Sequence, residues 1–118
     1  MRKSRMIADC LRRHAWWRLN RADVRDDGRN ARSAVALLDA AAYAADLPDD
    51  AAIIARLATA GCFSGDEFRL NDIAERIVRF WHYEEVAGGP ADLLEAIAET
   101  VRPPKIPAQR DGGRSLRR

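Results

Sequence analysis

The sequence predicts an all-α fold, a compact bundle of about five short helices with a basic C-terminal tail. Three observations carry that prediction. Apolar residues recur three and four positions apart over most of the chain. Turn-forming residues interrupt these stretches at Asp26-Asp27-Gly28, Leu47-Pro48-Asp49-Asp50, Gly61 and Gly88-Gly89-Pro90. No stretch alternates apolar and polar residues over the length of a strand between turn signals. With 118 residues, 47% apolar and 32% charged, the chain has the size and composition of one globular domain. Residues 1–102 are assigned to that helical domain and residues 103–118 to a disordered tail rich in Pro, Gly and Arg.

The first helix is predicted over residues 3–19. At about 100° per residue, Met6, Ile7, Cys10, Leu11, His14 and Trp17 share one side. Arg2, Arg5, Arg12, Arg13 and Trp16 share the other, with Asp9 among them, while Lys3 and Arg18 interrupt the apolar side. The second helix, over 30–46, is rich in alanine, the best intrinsic helix former. Its inward stripe is predicted as Val35, Leu38, Ala42 and Ala45, with Leu37 and Ala41 beside it. So many alanines on one face permit a close neighbour.

The third helix is expected over 50–60, with Asp49 as N-cap and Ile53, Ile54, Leu57 and Ala58 facing inward. Gly61 suits the residue after its C-cap, and Cys62 and Phe63 are placed to fold back on the helix end. Ser64 with Glu67 fits a capping box, so a short turn of helix is expected within 64–70, before a fresh start near Asn71. The fourth helix, over 71–87, turns Ile73, Ile77, Val78, Phe80 and Trp81 inward. Pro90 opens a fifth helix with Leu93, Leu94, Ile97 and Val101 on its apolar side. Pro103 and Pro104 end it by Arg102.

The net charge of +2 conceals a block layout. Residues 1–32 carry +6, residues 33–101 carry −9 and residues 102–118 carry +5. Such a layout speaks to partners rather than to fold. Arginine appears 18 times against two lysines, beside 22 alanines, a balance matching GC-rich, bacterial-like coding. Arginine preference alone is therefore no sign of phosphate recognition. The longest apolar run, Ala40 to Ala45, is six residues, far short of a membrane span. No apolar run follows the basic start Met1-Arg2-Lys3, so a cytoplasmic location is expected, with Cys10 and Cys62 as reduced thiols.

Catalytic and metal motifs are weak. Cys10 and His14 stand one helical turn apart, but a zinc site needs two further ligands, and Cys62 and His82 are isolated. A nucleophilic Cys62 would need an electropositive setting, whereas Asp66 and Glu67 lie close by. Glu84 and Glu85 are adjacent and project about 100° apart, which suits a surface rather than an acid–base pair. A helix-turn-helix centred on Gly61 puts Leu57 and Glu67 where a small and an apolar residue are required, within an acidic stretch. The chain is therefore read as non-enzymatic, with no cofactor and no metal.

What stands out is basic and aromatic residues on the first helix. Arg5, Arg12, Arg13, Trp16 and Arg18 are the candidate partner-binding residues, because Trp and Arg dominate interface hot spots. The expectation is a small adaptor, inhibitor or regulatory subunit that binds a protein. The alternative is a nucleic-acid-binding accessory protein whose first helix and tail contact phosphates. A third reading sets the basic ends against the chain's own acidic middle. The tail also holds Pro104 and Pro107 at PxxP spacing, a common short pattern.

Overall fold

The computed structural model describes residues 2–84 and 87–100. Five helices account for most of them: α1 (Lys3–Leu19), α2 (Arg29–Ala45), α3 (Ala52–Thr59), α4 (Asp72–Arg79) and α5 (Pro90–Thr100). A two-stranded hairpin, β1 (Phe63–Ser64) with β2 (Glu67–Phe68), lies between α3 and α4. The fold is thus all-α, as the periodicity predicts. The tail expected over 103–118 and Val101, expected on the apolar side of the fifth helix, lie outside the described residues.

The most extensive packing joins α1 to α2. Arg2 reaches the Leu47 carbonyl and Arg18 reaches Asn30, so the two helices run antiparallel. Small residues line the join: Ser4, Ala8 and Ala15 on α1, and Ala34, Ala41 and Ala44 on α2, all buried. Leu11 and Leu37, each at 0% exposure, fill the space between. This corrects the predicted stripe of α2, because Val35 is 58% exposed and Leu38 40%. Branched and long side chains there would hold α1 away, whereas turning the alanines inward lets the backbones approach and gain dispersion contact.

α5 closes the bundle. Leu93, Leu94 and Ile97 are fully buried, and the helix packs on α2, α3 and α4. α3 ends in a Schellman arrangement. The Cys62 N–H donates to the Leu57 carbonyl at 3.1 Å and the Gly61 N–H to that of Ala58 at 3.0 Å. Gly61 supplies the left-handed turn with φ +85°. At the other end the N-cap is Ala51 with no side-chain bond, not Asp49, whose carboxylate instead lies 3.8 Å from Arg2.

Two further expectations are corrected. Residues 63–68 form a hairpin rather than a turn of helix. Gly65-Asp66 is its two-residue loop, with Gly65 at φ +60°, and Phe63 pairs with Phe68, ring centroids 5.2 Å apart. Ser64 and Glu67 therefore face each other across a ladder instead of capping a helix. α4 stops at Arg79, eight residues before the predicted end. Phe80-Trp81-His82-Tyr83 is a run of poor helix formers, and Trp81 turns into the core, where its carbonyl accepts from the Ser33 hydroxyl at 2.6 Å. His82 then takes φ +58°. α4 does start as expected, with Asn71 Oδ1 accepting from the Ala74 N–H at 2.7 Å. Its inward line is Ala74 and Val78, leaving Ile73 at 63% and Phe80 at 51% exposure.

Candidate interaction surface

α1 is flanked by α2 on one side and by α4 and β2 on another, so its remaining surface faces outward. Its rotation is fixed by packing: the buried residues run round the helix from Met6 and Cys10 through Ile7, Arg18, Leu11 and Ser4 to Ala15 and Ala8, which leaves only the remaining arc free. On that free arc stand Arg5, Arg12, Trp16 and Leu19. Trp16 is 62% exposed and Leu19 36%. Arg5 and Arg13 are exposed. Arg12 is half-buried and donates to Asp9 Oδ1 at 2.9 Å, one turn back. Four of the five residues singled out by sequence thus sit on or beside one outward face.

Arg18 does not. It is 3% exposed and points between helices rather than to solvent. Its Nη1 donates to Asn30 Oδ1 at 2.7 Å and its Nε to the Arg79 carbonyl, which ties α1 to the start of α2 and the end of α4. No carboxylate pairs with it among the described residues. Three rings surround it instead, with Trp17, Phe80 and Tyr83 centroids 4.7, 4.8 and 4.3 Å from the guanidinium carbon. Aromatic faces attract a cation electrostatically, and this offsets part of the cost of taking the charge out of water. Burial still holds its pKa below the usual guanidinium value, with Arg21 and Arg79 adding repulsion and Tyr83 opposing them. Asn30 is itself steadied by Asp26, whose Oδ2 accepts from Asn30 Nδ2 at 2.7 Å. That bond, ahead of backbone donors, holds the Asp26 carboxyl below its ordinary value.

Sequence spacing alone gives no sign of the Arg18 cluster, because Arg79, Phe80 and Tyr83 lie some sixty positions downstream. The available signal was an arginine recurring within the apolar side of the first helix.

The titratable candidates do not converge. Cys10 is 3% exposed, and burial raises its thiol to about 11, against a lowering by Arg13. Cys62 is buried and raised for the same reason. Burial lowers His14, with Glu75 working against it. His82 bonds through Nε2 to the Gly88 carbonyl. Among the described residues no three His, Cys, Asp or Glu side chains gather where they could hold a metal ion. No helix among them is long and apolar enough to cross a membrane.

The basic N-terminal segment does in part meet acidic groups of the middle block. Arg2 lies 3.8 Å from Asp49 and Arg29 3.7 Å from Glu84. Both are exposed pairs of the kind worth about 1 kcal/mol or less. Arg5 and Arg13 take no part in the ion pairs found among the described residues. No family model, curated protein or solved structure matches the chain.

Proposed function

We propose that this is a small, non-enzymatic binding protein, cytoplasmic and acting as an adaptor, inhibitor or regulatory subunit, that docks on a protein partner through the outer face of α1. The observation that carries this reading is Trp16. A tryptophan 62% exposed on a helix otherwise locked by packing, with Leu19, Arg5 and Arg12 along the same line, has the composition of an interface hot spot. The fold does not need this ring, so its apolar surface is available to a partner.

Charge favours a protein over a nucleic acid. The described residues hold 14 Lys and Arg against 16 Asp and Glu, and Arg12 on this face is already paired with Asp9. A phosphate polymer needs an extended basic surface, whereas the opposite charges of this domain largely offset one another outside the arginines gathered at one end of α1.

The test is the salt dependence of partner binding in the parent and in Arg12→Ala/Arg13→Ala. A protein partner gives a shallow dependence that the double change hardly alters. A steep dependence that flattens by up to about two units identifies phosphates as the ligand and overturns the reading.

A further inference from the structure

A second cluster lies round the side of α1 from Trp16, where the end of α1 meets α4. Its centre is the Trp17 ring. The guanidinium carbon of Arg21 lies 3.9 Å from the ring centroid, and those of Arg18 and Arg79 lie 4.7 Å from it. Beside them a cleft of about 310 Å³ is lined by Arg13, His14, Trp17, Glu75 and Arg79. Arg79 and Glu75 also line an adjoining cleft of about 260 Å³ with Arg76 and Phe80.

Cations outnumber anions here. Arg13, Arg18, Arg21, Arg76 and Arg79 share this corner with two carboxylates, Glu75 and Asp72. The Glu75–Arg79 contact is 3.8 Å, longer than a hydrogen bond, between half-exposed groups. Two guanidinium nitrogens, Arg18 Nη2 and Arg79 Nε, are buried with no hydrogen-bond acceptor among the described residues. Buried donors are nearly always satisfied, so the unmatched Nε of Arg79, a residue lining both clefts, calls for an acceptor, while the unmatched Nη2 of Arg18 belongs to a guanidinium set among the rings of Trp17, Phe80 and Tyr83. Five like charges held together with only two carboxylates raise the energy of the folded state, and that energy falls when an anion arrives.

We propose that this corner is an oxyanion-binding site, for a single phosphate-type group on a small ligand, with Arg79 and Arg21 as the contacting cations and Trp17 as the wall. Guanidinium groups approaching from two elements match an anion with several acceptor oxygens. Arg13 and Arg76 bound the site on either side. Arg18 sits beneath, adds positive potential and does not touch the ligand. The site adjoins the partner-binding face at Arg13 but does not include Trp16, Arg5 or Arg12, and it stands whether or not that face binds a protein.

The experiment is a titration of the intact chain with inorganic phosphate, with chloride at matched ionic strength as reference. The Nε–Hε resonance of Arg79 and the indole N–H of Trp17 report the site directly. Saturable shifts at millimolar phosphate, absent with chloride, are expected, together with a rise in Tm of a few degrees. Arg79→Gln and Arg21→Gln should each weaken binding at least fivefold, while Arg56→Gln, on the far pair with Glu95, should not. Non-saturable shifts, equal shifts with chloride, or unchanged affinity in both variants would overturn the proposal. So would a single-stranded oligonucleotide that binds orders of magnitude more tightly than phosphate with a multi-charge salt slope, because the ligand would then be a polymer.

Discussion

Replacing Arg18 with alanine should destabilise the fold rather than merely weaken binding. The side chain is 3% exposed and makes two charge-assisted bonds, to Asn30 Oδ1 and the Arg79 carbonyl. Such bonds contribute about 1.5–3 kcal/mol each, and contact with the three rings adds about 1 kcal/mol or more. Removing a buried cation recovers some of its desolvation cost, which leaves a net loss of about 3 kcal/mol. Alanine also leaves the buried Asn30 oxygen without its donor. For a domain of this size each kcal/mol shifts Tm by about 4–8 °C, so a fall of about 12 °C or more is expected. Arg18→Met keeps most of the volume but loses both bonds, so it should cost less than alanine yet still more than about 1 kcal/mol. Urea denaturation with an unchanged slope is the assay. If Arg18→Ala stays within about 1 kcal/mol of the parent, the Arg18 bonds do not hold the junction of α1, α2 and α4.

Other consequences follow from single residues. Gly61 has φ +85° and open space where a Cβ would stand, so Gly61→Ala should lose about 1 kcal/mol from backbone strain alone, read as a shift in the denaturation midpoint. Cys10 should resist alkylation, because a buried thiol raised to about 11 holds almost no thiolate at pH 8; labelling of the native protein as fast as of the urea-unfolded chain would contradict this. The same shift makes stability pH-dependent in one direction. The native state holds that proton more tightly than the unfolded chain, so the linked stability is complete below the ordinary thiol range and falls as pH rises through about 11. Equilibrium denaturation between pH 8 and 11 measures the fall, and Cys10→Ala should flatten it.

The helices were legible where local signals are strong. Lys3–Leu19 and the start at Pro90 follow from periodicity and from proline at a first helical turn, and Gly61 announces the end of α3. Which face of α2 turns inward was not legible. Hydrophobicity favours Val35 and Leu38, but the fit against α1 favours Ala34, Ala41 and Ala44, and that fit is a property of two helices together. The hairpin was masked by a competing pattern, since Ser64 and Glu67 satisfy both a capping box and a cross-strand pair. Gly65-Asp66 was the deciding signal. On the candidate surface, Trp16 and Arg5 could be placed outward from helical spacing alone. Arg18 could not be placed, because what removes it from solvent is Asn30, Arg79, Phe80 and Tyr83, brought there by tertiary packing.

The central claim, that the outer face of α1 docks on a protein, is tested most directly by capture from the native host's lysate after nuclease treatment. Parent, Trp16→Ala and Val35→Ala chains are compared side by side. Trp16 and Val35 are 62% and 58% exposed, so both substitutions should leave the fold intact. A partner retained by the parent and by Val35→Ala, but lost with Trp16→Ala by the equivalent of about 2 kcal/mol or more, is the predicted result. Capture that disappears on nuclease treatment, or that survives Trp16→Ala undiminished, would contradict it.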